Sequence, residues 1–165
     1  MKRALMIAAV MLSGRSALAQ PAPRPKNEIV GTWRMMSARL VDNGRETLPY
    51  GPRPAGMLVF TPDMHFVEVL TDPSVPRFAS DRRGGGTDAE NRRAMAGSIG
   101  FFGTYSVDGR GRFSGNRVEG STFPNWVGGV RTTRELTMVV EGDRLFETFT
   151  RPDGGRLRAE FRRAR

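Results

Sequence analysis

Residues 144–162 read RLFETFTRPDGGRLRAEFR, and their alternation decides the fold class. Leu157, Ala159 and Phe161 fall on one face of an extended chain, while Arg156, Arg158, Glu160 and Arg162 fall on the other. Successive side chains of a strand point to opposite faces, so this segment has one apolar and one wet side. Pro152, Asp153, Gly154 and Gly155 supply turn chemistry, and residues 144–150 pair back across it. Strands joined so tightly must be antiparallel. One step further back, Glu141-Gly142-Asp143 is another turn, and residues 130–140 read as one long strand.

The same rhythm runs through the rest of the chain. Residues 57–61 and 65–70 flank Pro62-Asp63-Met64 as a tight hairpin. Residues 29–41 form a long first strand that ends at Asp42-Asn43-Gly44, Asn-Gly being suited to positive φ. Phe101, Gly103, Tyr105 and Val107 alternate with Phe102, Thr104 and Ser106, and a further strand follows over 117–121 after the turn at Asp108 to Gly111. Residues 71–86 hold Asp72-Pro73-Ser74, Pro76 and three consecutive glycines, which no strand can cross. Directly after them, Thr87 and Glu90 have the spacing of a capping box, which predicts one short helix over 88–98. The sum is an all-β chain of about eight mostly antiparallel strands with one short helix and no βαβ rhythm. Such a meander buries its apolar face by closing into an up-and-down barrel, and eight strands leave room for side chains or for one small ligand.

The N-terminus reads as a leader. Lys2 and Arg3 precede an apolar run over residues 4–12, and Ala17-Leu18-Ala19 places small residues where a signal peptidase cuts. The run is too short to span a bilayer, which needs about 20 residues. The expected organisation is a signal peptide over 1–19, a Pro-rich linker over 20–28 and a barrel domain over 29–165, with a periplasmic or secreted destination. Cleavage after Ala19 leaves 146 residues and lowers the formal net charge from +9 to +6. The 26 basic residues are scattered rather than clustered. This argues against nucleic acid and for a solvated basic surface with weak attraction to anionic envelope surfaces.

Composition removes several chemistries. The chain has no Cys and one His, so disulfides, thiol nucleophiles and Cys- or multi-His metal sites are excluded, and no metal or cofactor is expected. His65 is the only imidazole, and no G-x-S-x-G segment accompanies it. Gly84 to Gly86 lacks the Lys-Ser/Thr of a phosphate-binding loop, and Gly109-x-Gly111 sits between strands, where a hairpin explains it.

Gly31-Thr32-Trp33, at the head of the first strand, resembles the G-x-W signature of lipocalins. More specifically, the chain resembles the bacterial and fungal lipocalin-like domain family. The matching pieces include Leu58-Val-Phe-Thr-Pro62, Pro76-Arg-Phe-Ala-Ser80, Phe102-Gly-Thr-Tyr-Ser-Val-Asp108 and the run from Val118 to Gly128 (VEGSTFPNWVG). The resemblance implies a lipocalin-like, calycin-type barrel in which Trp33 closes one end, with Arg158 or Arg162 packed over its ring. Members often carry a His shortly before V-E-G-S, whereas Asn116-Arg117 stand here. A barrel shared by many chemistries does not name one of them.

If the faces of Tyr105, Glu119 and Arg134 point inward, the barrel holds a phenol, a carboxylate and a guanidinium among apolar walls, with Phe78 and Trp126 as loop aromatics at its rim. A one-residue change of register would reverse those faces. The leading expectation is an exported barrel that binds a small, largely apolar molecule, with or without an acidic group. The alternatives are a cofactor-free cyclase or isomerase using Tyr105 and Glu119, and a ligand-free structural envelope protein.

Overall fold

The computed structural model describes residues 26–165, so the expected signal peptide and most of the linker lie outside the described residues. Ten strands follow in order: β1 (Gly31–Asp42), β2 (Arg45–Thr47), β3 (Ala55–Phe60), β4 (His65–Thr71), β5 (Ser98–Val107), β6 (Phe113–Ser121), β7 (Val130–Thr132), β8 (Leu136–Glu141), β9 (Arg144–Thr150) and β10 (Arg156–Arg163). One helix, α1 (Asp88–Ala96), interrupts them between β4 and β5, and a single 3-10 turn (Pro124–Trp126) follows β6.

Every pairing is antiparallel, and the sheet runs β7-β6-β5-β4-β3-β1-β10-β9-β8, with β2 attached to β1. The first strand therefore sits between the third and the last, which rolls the meander into an up-and-down barrel. The two ends of this path, β7 and β8, are consecutive in sequence and share no ladder, so the barrel is nearly closed with one seam. Asn43 and Gly44 both have positive φ, 48° and 76°, as a two-residue hairpin turn between β1 and β2 requires.

Nine strands on the path, where about eight were expected, come from one break. Residues 130–140 do not form a single strand, because the Glu135 carboxylate accepts from the Thr132 amide at 2.9 Å and the Thr132 hydroxyl at 2.8 Å. The Glu135 amide returns to the Thr132 carbonyl at 3.1 Å. This local competition for backbone groups turns the chain between β7 and β8.

The predicted capping box is formed. The Thr87 hydroxyl accepts from the Glu90 amide at 3.3 Å, and the Glu90 carboxylate accepts from the Thr87 amide at 2.7 Å. The other Glu90 oxygen accepts from the Ala79 amide at 3.1 Å, which ties the preceding loop to the helix start.

One end of the barrel is packed shut. Trp33, Leu58, Phe60, Phe66, Leu145 and Phe161 are fully buried there, and the Trp33 indole donates to the Ile29 carbonyl at 2.8 Å. Arg163 covers the ring at 4.0 Å and donates to the carbonyls of Val30 at 2.6 Å and Glu28 at 3.0 Å. The expected arginine contact on Trp33 is thus made by neither Arg158 nor Arg162. Arg158 is exposed on the outer face of β10, and Arg162, also exposed, pairs with Asp143. Alternation puts both on the wet face, whereas Arg163 continues the inner phase of Leu157, Ala159 and Phe161 and at the strand's end reaches the Trp33 ring.

Candidate functional site

The opposite end is open. A cavity of about 590 Å³ lies there, walled by Tyr50, Ile99, Phe123, Trp126 and Phe149, with Met95 and Ala96 of α1 and Arg151 at its edge. Ring packing holds the wall: Trp126 meets Phe101, Phe123 and Phe149 edge-on at centroid separations of 5.2, 6.0 and 5.8 Å.

Beneath these rings the interior is polar. Phe66, Glu68 and Leu70 share the inner face of β4, and Leu145, Glu147 and Phe149 share that of β9; Glu68 is 1% exposed and Glu147 5%. Asn116 of β6 is buried with them, and its register partner on β7 is Arg131. The Arg131 guanidinium lies 4.5 Å from the Trp126 ring centre, 4.6 Å from Phe149 and 5.4 Å from Phe101. Phe101 is the direct cross-strand partner of Glu68, and Phe149 is two residues from Glu147, so Arg131 stands beside both carboxyls. None of the ion pairs among the described residues includes them. One carboxyl oxygen of Glu68, one of Glu147 and the amide oxygen of Asn116 are buried without a hydrogen-bond partner.

Electrostatics follow from this burial. Removal from water disfavours a carboxylate, and the charge of Glu147 disfavours ionisation of Glu68 further, so Glu68 is held well above the ordinary range despite Arg131. Burial pushes Glu147 up to about 7, with Arg131 opposing the rise. The Tyr50 hydroxyl is raised by burial first and by the two carboxyl charges second. Arg131 is lowered by burial, and the same two carboxyls work against that. The cluster is thus a coupled group in which the carboxyls retain protons to unusually high pH.

The residues expected at the site do not converge. Tyr105 is buried, but towards the closed end: its hydroxyl accepts from Asn27 and donates to the Thr61 carbonyl, both at 2.8 Å, while its ring packs on Phe60. Glu119 is exposed, because Val118 takes the inner face of β6 and the next residue must point out. Arg134 is exposed in the turn between β7 and β8; an unbroken strand would have placed it in phase with the buried Leu136 and Met138. Phe78 is half-buried against Gly86 ahead of α1 and does not line the cavity. Trp126 does line it. The acid–base pairing of Tyr105 with Glu119 is therefore separated by the barrel wall. His65 is exposed at the start of β4, 3.4 Å from Asp63 and outside the barrel interior.

Glu68 and Glu147 were absent from that expected set, yet each carries a sequence signal: an acid in the apolar phase of an alternating strand. Arg131 carries none, since a three-residue strand beside a break has no readable phase.

Comparison with known proteins gives one family. The sequence profile of the family described as "Lipocalin-like domain" matches residues 30–159. Among curated proteins, none matches this sequence. Similar solved structures include a redesigned beta barrel, at 12% identity over 88% of this chain and 100% of that one, with a TM-score of 0.43. A de novo designed fluorescence-activating beta barrel is 17% identical over 83% of this chain and 94% of that one, with a TM-score of 0.40.

Proposed function

The chain belongs to the lipocalin-like domain family, and we propose that it holds a small, largely apolar molecule in the open end of its barrel. The observation that carries this reading is the cavity of about 590 Å³ with aromatic walls and partnerless buried oxygens behind them. Small-molecule sites take this form: a few hundred Å³, mostly apolar, with a small number of polar groups that fix orientation. A core built only for stability would fill that space or pair those oxygens.

Export is part of the proposal. The basic start, the short apolar run and Ala17-Leu18-Ala19 support secretion with cleavage after Ala19. N-terminal sequencing of protein recovered from the producing cell should begin at Gln20; a start at Met1 in mature protein would refute it.

The binding reading is tested through the only two tryptophans, which lie at opposite ends of the barrel. Native mass spectrometry of protein purified without denaturation should show a stoichiometric adduct of small-molecule mass. Titration with N-phenyl-1-naphthylamine, a neutral aromatic probe, should change Trp126 emission, and Trp126→Phe should remove that change while leaving the Trp33 signal. No adduct and no probe binding would refute the reading.

A further inference from the structure

Arg131 is poorly matched to its surroundings in one specific respect. Its guanidinium carbon lies near the ring centres of Trp126, Phe149 and Phe101, with the Trp126 ring set nearly at right angles to the other two, an environment that suits a delocalised planar cation. Its five N–H donors, however, call for oxygen acceptors that ring faces do not supply. Among the described residues these donors enter no ion pair, and no side-chain hydrogen bond is formed to them. A half-buried cation without an oxygen acceptor recovers only part of its lost hydration from ring contacts. Below about pH 7 the neighbouring carboxyls compensate only weakly, because burial keeps protons on them there.

The position of this cation matters as much as its isolation. Two of its three ring partners, Trp126 and Phe149, are also walls of the cavity. The guanidinium therefore packs against two of the rings that wall the cavity, without itself being one of its lining residues. We propose that Arg131 is the head-group subsite of this cavity, taking the carboxylate or sulfonate of an amphipathic ligand whose aromatic or alkyl body fills the outer space. The in-plane fork of a guanidinium matches two oxygens of such a group, which a lysine in the same place would not do. The proposal rests on the small-molecule reading and adds the ligand class. Arg151 at the rim is the competing cation, and the test must separate the two.

Two fluorescent probes share one ring skeleton and differ by a sulfonate: 1-anilinonaphthalene-8-sulfonate and N-phenyl-1-naphthylamine. At fixed ionic strength the wild-type protein should bind the sulfonate at least about tenfold more tightly, the effect of one charge-assisted hydrogen bond. Arg131→Gln should bring the ratio close to one while leaving the neutral probe's affinity within about threefold. Arg131→Lys, which keeps the charge and stem, should lower the ratio without abolishing it, and Arg151→Gln, at the rim, should lower it by less than Arg131→Gln does. Equal affinities in the wild type, a preference that survives Arg131→Gln, or one lost in Arg151→Gln would each overturn the proposal. If Arg131→Gln fails to fold by circular dichroism, an unchanged ratio in Arg131→Lys overturns it instead. Binding of the neutral probe without a preference refutes the head-group subsite alone; binding of neither refutes the small-molecule reading as well.

Discussion

Replacing Glu147 by Gln should make the protein more stable at pH 8 and leave it nearly unchanged at pH 5. Burial raises Glu147 from 4.5 to about 7 in the folded chain. The folded state thus holds this proton more tightly than the unfolded state does. Its favourable contribution is complete below about 4.5, declines as pH rises, and is lost once pH passes about 7. The gap corresponds to about 3 kcal/mol between the two ends of that window. Glu68, raised by the same burial, acts in the same direction. Asp108, held near 2 by amide and guanidinium hydrogen bonds, works the other way: its contribution is present above its unfolded value and lost in stronger acid. Asp63, Asp72, Glu90, Glu135 and Asp143 are lowered by hydrogen bonds and belong to that acid limb too.

The wild-type protein should therefore be most stable near pH 5 and weaken towards pH 8, by about 3 kcal/mol on the Glu147 term. Urea denaturation followed by far-ultraviolet circular dichroism at half-unit pH steps from 4.5 to 8.5 measures this without adding salt. At pH 8, Glu147→Gln should raise the urea midpoint by roughly 1–2 M, given the m-value of a domain this size. At pH 5 the amide mimics the protonated acid, so the two curves should nearly coincide. Parallel curves for wild type and variant across the whole range would refute the argument, because they would mean that Glu147 ionises as an ordinary carboxyl.

Two further outcomes follow from the packed end and from the bulge between β5 and β6. Arg163→Met should cost about 2–4 kcal/mol by losing the stack on Trp33 and two backbone hydrogen bonds, and in a Trp126→Phe background it should shift Trp33 emission to the red; Arg158→Met and Arg162→Met should cost under about 1 kcal/mol. Gly103→Ala should abolish soluble expression, since a Cβ there would stand 2.0 Å from the Arg117 carbonyl oxygen at a bulge, whereas Gly109→Ala, with nothing within 4 Å, should express normally and unfold within about 0.5 kcal/mol of wild type.

The legible part of this protein was the part governed by short-range rules. Period-two alternation over residues 156–162, Asn43-Gly44 and the Thr87–Glu90 box each name a structure from a few adjacent residues, and each is formed. The break at 133–135 escaped because Val130 and Arg131 continue a strand pattern while Thr132 and Glu135 compete for the same amides, and propensity cannot weigh the two. Arg134 was misplaced as a direct consequence, for a residue in a turn inherits no face from the strand it follows. Arg163 escaped for a different reason: it continues the inner phase of Leu157, Ala159 and Phe161, but it lies one residue beyond the expected strand end at 162.

Glu68 and Glu147 stand apart from these cases, since the pattern that reveals Leu157 and Phe161 as core reveals them too. Phe66-x-Glu68-x-Leu70 and Leu145-x-Glu147-x-Phe149 place an acid where apolar residues belong. A chain with no disulfide to help it depends on hydrophobic closure, so two buried acids and a half-buried arginine are costly choices for it. Apolar side chains of similar volume would be expected to stabilise the barrel. They would also fill its middle and remove the polar groups packed beside the cavity's aromatic walls. An interior that gives up stability on three separate strands, and always beside the same rings, is the arrangement on which the proposed binding reading rests. The Glu147→Gln experiment and the paired probes separate the two halves of that argument, since the first measures what the acids cost the fold and the second what Arg131 does for a ligand.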